Sequence, residues 1–151
     1  MAKAKPLSDD QLALILQTCI DFAKEMLEQQ GGFYPFGARV KLSGEIDFLQ
    51  SVPDSDPVDL QKLYRKAEEA LAEQARKGEI LGAAIVANAG LPEDPADDFR
   101  DAVRVLIDAP GYCRLIYQPY RMLLGAKPGK LGAVETGEMF PVEAAQVIFS
   151  S

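Results

Sequence analysis

The stretch Ala102-Val103-Arg104-Val105-Leu106-Ile107-Asp108-Ala109-Pro110-Gly111-Tyr112-Cys113-Arg114-Leu115-Ile116-Tyr117-Gln118-Pro119-Tyr120 decides the fold. Val103, Val105 and Ile107 alternate on one side, Pro110-Gly111 supplies a turn, and the return run is aromatic and branched. That is an antiparallel hairpin, with Arg104 and Arg114 on polar positions of its strands. Before it, Ile80 to Ala89 is a short apolar run with Gly82, Ala83 and Ala84. It reads as a central strand that a helix can approach closely, a buried helix being the alternative. Between the two lies an acidic loop, Gly90 to Asp98.

Two helices precede these strands. Ser8 with Gln11 has the form of a capping box, and Leu12, Ile15, Leu16, Cys19, Phe22, Ala23, Met26 and Leu27 recur at helical spacing, giving a helix over 9–30 that Gly31-Gly32 ends. Phe33 to Val40, a turn at Leu42 to Glu45 and a strand to Gln50 make a first hairpin. Pro35, lacking a ladder donor, places its strand at an edge or delays its entry into the sheet. Asp56 before Pro57 reads as the N-cap of a second helix, with Asp59 in its first turn, an apolar stripe from Leu60 to Ala75, and Gly78 beyond its end. From 123 to 145 glycines and Pro128 suggest an irregular segment, and Gln146 to Ser150 a short last strand.

The expected fold is therefore α+β: an antiparallel sheet of five or six strands with two main helices packed on one face. At 151 residues the chain suits a single domain over 1–151, with 1–8 flexible, because a chain of about 150 residues buries roughly 70% of its unfolded surface. Hydrophobic residues are 48% and charged ones 26%, which argues against disorder. The element order resembles the roadblock and profilin-like layouts over about residues 9–120, a likeness of topology alone. Phe33-Tyr34-Pro35-Phe36-Gly37-Ala38-Arg39-Val40, Ser43-Gly44-Glu45-Ile46 and a hairpin ending in Gln118-Pro119-Tyr120-Arg121 are similar to a group of small bacterial proteins of unknown function. That resemblance implies a small domain and assigns no catalytic role.

Net charge is −7, with a pI near 4.6, which argues against a nucleic-acid partner, since phosphate affinity comes from Lys and Arg. The chain contains no histidine, so the commonest general base and metal ligand are missing. Export is not expected, because Gln11, Gln17 and Asp21 interrupt any apolar leader; nor is a membrane span, because Ile80 to Leu91 is too short. A cytoplasmic location follows, with Cys19 and Cys113 as buried free thiols.

Gly125-Ala126-Lys127-Pro128-Gly129-Lys130-Leu131 lacks the spacing and the hydroxyl of a phosphate loop. Glu93, Asp94, Asp97, Asp98 and Asp101 match no calcium-loop spacing and read as a solvated loop, while Asp54 and Asp56 suit capping. Glu45, Asp47, Glu135 and Glu138 give no paired acids. No metal or other cofactor is expected. The distinctive local feature is aromatic: Phe33, Tyr34 and Phe36 with Arg39 in one hairpin, and Tyr112, Tyr117 and Tyr120 with Arg114 and Arg121 in the other. Aromatic and Arg side chains are enriched at interface centres. Phe33, Tyr34, Phe36, Arg39, Arg114, Tyr117 and Tyr120 are therefore the expected contacts of a non-enzymatic interaction or assembly domain. Its partner would be another protein, as for an acidic inhibitor or immunity-type protein, or a second copy in a homodimer paired along a sheet edge or the first helix. The alternative is a small-molecule site or enzyme using Tyr34, Arg39, Arg114 and Tyr117 with a carboxylate between sheet and helices.

Overall fold

In the computed structural model, which describes residues 7–50, 53, 57–91, 99–124 and 132–149, helix α1 (Asp9–Gln30) opens the chain. The Ser8 hydroxyl accepts from the Gln11 amide at 3.1 Å and the Gln11 side chain accepts from the Ser8 amide at 3.0 Å, so the capping box is complete. Leu7 is buried against Gly82 and Ser8 caps α1; the rest of the segment expected to be flexible, residues 1–6, lies outside the described residues. Gly31 takes the left-handed conformation, φ 79°, that closes the helix.

Strands β1 (Phe36–Lys41) and β2 (Ile46–Gln50) form the first hairpin. The ladder starts at Phe36 rather than Phe33, as Pro35 requires. Helix α2 (Leu60–Arg76) follows. Its N-cap is Asp59, whose carboxylate accepts from the Lys62 amide at 3.1 Å, so the helix starts later than the expected Asp56-Pro57: Pro57 precedes it and Asp59 caps it instead of lying in its first turn, while Asp54 and Asp56 themselves lie outside the described residues. Strands β3 (Ile80–Gly90), β4 (Asp101–Ala109), β5 (Tyr112–Leu124), β6 (Gly132–Thr136) and β7 (Phe140–Glu143) complete an antiparallel sheet. Its order is β2-β1-β3-β4-β5-β6, with β7 also pairing β5.

The α+β class stands; the details differ from expectation in three ways. The described residues form seven strands, because β6 and β7 lie within the segment expected to be irregular, pairing successive stretches of the long β5. No strand forms over 146–149; this segment folds under the sheet instead. The helices lie on opposite faces. Ala84 and Val86 of β3 and Val103, Val105 and Ile107 of β4 pack with Ile15, Cys19, Ala23 and Leu27 of α1. Their alternate neighbours Ala83, Ile85 and Leu106 pack with Ala67 and Leu71 of α2 and with Ile148. A central strand apolar on both faces, as β3 is from Ile80 to Ala87, is the mark of a sheet covered on both sides. The acidic residues Glu93, Asp94, Asp97 and Asp98, and Gly125 to Leu131, lie outside the described residues.

Candidate functional site

Register creates an opening at one end of the sheet. β1 pairs with β3 only as far as Phe36 opposite Val86, whereas β3 runs on to Gly90. Before Phe36 the chain comes from the end of α1 through Gly31 and Gly32. The edge of β3 is thus free of β1 from Ala87 onward, and the start of α2 stands beside the gap. The result is a cavity of about 810 Å³ between the 31–35 connection, the first two turns of α2, and the ends of β3 and β4.

Three groups of side chains line it. Phe33, Tyr34 and Pro35 form one wall, with Tyr34 half exposed. Leu60, Gln61, Tyr64, Arg65 and Glu68 come from one side of α2. Ala87 and Asn88 of β3 and Arg104 of β4 contribute from the sheet. The Arg104 guanidinium sits over the Tyr64 ring, 5.5 Å from its centroid. Its Nε is buried without a hydrogen-bond partner. Burial raises the Tyr64 phenol above its ordinary pKa against the opposing pull of Arg104, so the group stays a neutral hydroxyl near pH 7. The Asn88 carbonyl accepts from the Tyr120 hydroxyl at 2.6 Å, which anchors that amide at the cavity edge.

The residues expected to form one surface are dispersed. Phe36 and Tyr120 are 1% and 5% exposed, so they are core and offer no contact area. Phe33 packs edge-on against Phe36, with ring centroids 5.7 Å apart. Arg39 lies on the α2 face, where its Nε donates to Asp47 at 2.6 Å and its Nη1 to Gln74 at 3.0 Å. The hydrogen bond to Asp47 raises the Arg39 pKa and, reciprocally, lowers that of Asp47. Arg114 lies on the α1 face beside Tyr112, 5.3 Å from its ring centroid. Tyr117 stacks on Phe140 at 5.2 Å. Of the four residues expected in a small-molecule pocket, Tyr34 alone lines this cavity; Arg39, Arg114 and Tyr117 do not.

Sequence reasoning passed over Arg104 and Tyr64. The available signal was Arg104 itself, one of two charged residues, with Asp108, inside an otherwise apolar central strand. In the sequence Tyr64 falls on the apolar stripe of a helix, which carries no signal of a site. Among the described residues no group of three or more Cys, Asp or Glu is placed to hold a metal ion, and no helix is long and apolar enough to cross a membrane. Comparison of the chain with protein-family models, with curated proteins and with solved structures finds no match.

Proposed function

We propose that the chain is a small-molecule-binding domain whose site is the cavity between α2 and the open end of β3. The observation that carries this reading is Arg104, a guanidinium with no carboxylate partner among the described residues and with its Nε buried unpartnered, in the wall of an 810 Å³ cavity, a size in the range of ligand pockets. Beside it are donors and acceptors that fix a ligand's orientation: Gln61, Tyr64 and Tyr34. Among the described residues the lining holds a single carboxylate, Glu68, and no Ser, Thr, Cys or Lys, which favours binding over covalent chemistry.

Amide chemical shifts of the ¹⁵N-labelled chain, recorded with a set of neutral and charged fragments, test this. Perturbations are expected at Gly32, Ala87 and Asn88 and not at the distant turns Gly44 and Gly111. Ala87→Leu should fill the space and abolish them while the thermal midpoint is kept. Binding that maps elsewhere, or that survives Ala87→Leu, overturns the reading.

A second reading is supported by Met139, Phe140, Val142 and Val147, which are 37–43% exposed on and flanking the edge strand β7. Exposed apolar side chains on an edge suit contact with a second copy of the chain. Light scattering would then give about 33 kDa, twice the chain mass, and Val142→Lys would return it to a monomer; a monomer at all concentrations removes this reading.

A further inference from the structure

Among the described residues the cavity carries two guanidinium groups, Arg65 and Arg104, against one carboxylate, Glu68, in a chain of net charge −7. Local charge thus opposes the charge of the whole. Arg104 is the more telling of the two because β4 is flanked by strands on both sides, with Ala87 and Tyr117 its register neighbours. A cation set in the middle of a sheet loses water, and that loss is ordinarily offset by a counter-charge. Arg39 meets Asp47 and Arg121 meets Glu135, while Arg114 donates to the Cys113 carbonyl at 2.7 Å beside the Tyr112 ring. Among the described residues no carboxylate does the same for Arg104. The first turn of α2 acts in the same sense, since Leu60 and Gln61 border the cavity and a helix start has outward amides that favour negative charge. Asp59 satisfies one of these amides, that of Lys62.

We infer that the ligand carries an oxyanion, a carboxylate or a phosphate monoester, seated on Arg104, with an uncharged body toward Tyr34 and Leu60. This rests on the cavity being a ligand site. With Nε enclosed, the two Nη groups are the part of Arg104 that a ligand meets, and their planar geometry matches two oxygens of either anion. An anion there offsets the charge of the whole guanidinium. The Tyr64 ring lies under the group, 5.5 Å from centroid to Cζ. Tyr34 and Leu60 are each 51% exposed, so they leave apolar surface at the mouth for an uncharged ligand body to cover.

Titration of the full chain with benzoate, phenyl phosphate and benzamide, followed by amide chemical shifts, tests this. At least one of the acids should bind about tenfold more tightly than benzamide, a preference that weakens with added salt. The stronger acid identifies the anion as carboxylate or phosphate. Arg104→Gln should erase the preference while leaving benzamide binding in place. Arg104→Lys, which retains charge without the planar fork, should keep part of it and serves if the Gln variant melts early. Equal binding of acids and amide, or a preference that persists in a folded Arg104→Gln chain, overturns the inference and leaves the cavity a ligand site. If none of the three compounds perturbs the cavity residues, both the inference and the small-molecule reading fall.

Discussion

Asp108 shows how one residue organises a segment distant in sequence. Its side chain is wholly buried on the α2 face. It has backbone amides for partners: one oxygen accepts from Val147 and Ile148 at 2.8 Å each, the other from Phe149 and from the Gln146 side chain at 3.3 Å. Those bonds curl residues 146–149 under the sheet and seat Ile148 beside Leu106 and Cys113. A carboxylate that accepts several amides is well compensated, whereas amides that lose their acceptor inside the protein cost about 1–3 kcal/mol apiece. Asp108→Ala is therefore expected to lower unfolding free energy in urea by a few kcal/mol, on the order of two such amides. Asp108→Asn, which keeps one accepting oxygen, should lose less. Hydrogen exchange at Val147, Ile148 and Phe149 should quicken in both variants. Unchanged exchange there would show that the segment is held by Ile148 packing alone.

At the scale of elements, the close approach of α2 to β1 depends on a residue without a side chain. A Cβ added at Gly37 would meet the Leu71 methyl at 3.1 Å and Ala67 at 3.7 Å. Valine suits strands by propensity, yet here it would push α2 outward. Gly37→Val should cost about 1–3 kcal/mol in chemical denaturation, and pairing it with Leu71→Ala should recover part of the loss. Additive losses would place the strain elsewhere. The two hairpins, β3 and both helices were legible because their patterns are local: alternation in 102–120, helical spacing in 12–27, Gly at the ends. The faces on which the helices sit were less so, although the unbroken apolar run of β3 already implied cover on both sides. β6 and β7 were hidden because their residues, Gly132 to Thr136 and Phe140 to Glu143, carry weak strand propensity and are held by the length of β5. The cavity was not legible at all. It arises from the difference between where β1 stops and where β3 stops, a fact of register that no single stretch of sequence contains.

For the molecule as a whole, the titrating groups set a pH profile with a long plateau. With no histidine in the chain, no side chain has its ordinary charge change between about pH 5 and 8. Stability in that interval should be nearly flat. Burial pushes the Cys19 thiol from 9.0 up to about 12, and burial, then the charge of Asp108, pushes Cys113 from 9.0 to about 11. The unfolded chain releases both protons near the lower value while the folded chain keeps them, so it is the folded state that binds more protons above pH 9. Their stabilising contribution is complete below that point and is lost as pH climbs through the raised values. Tyr64 and Tyr120, also raised by burial, extend the decline further. At the acid end Asp47 acts in the opposite direction. Its hydrogen bond to Arg39 holds it below its ordinary 3.8, so its contribution is present above that value and disappears as pH falls through the depressed one. The half-exposed position of this pair makes the acid term small. Urea unfolding at intervals from about pH 5 to 11 should show a plateau followed by a fall beginning near pH 9. In Cys19→Ala the plateau should be lower, because a packed sulfur is missing from the core, and the alkaline fall shallower, because Cys113 and the tyrosines remain. A slope in Cys19→Ala equal to that of the parent chain would show that the thiol keeps water access in the folded state. That result would also contradict the closure of α1 over the sheet, since Cys19 lies between Ile15 and Ala23 on the buried side of that helix.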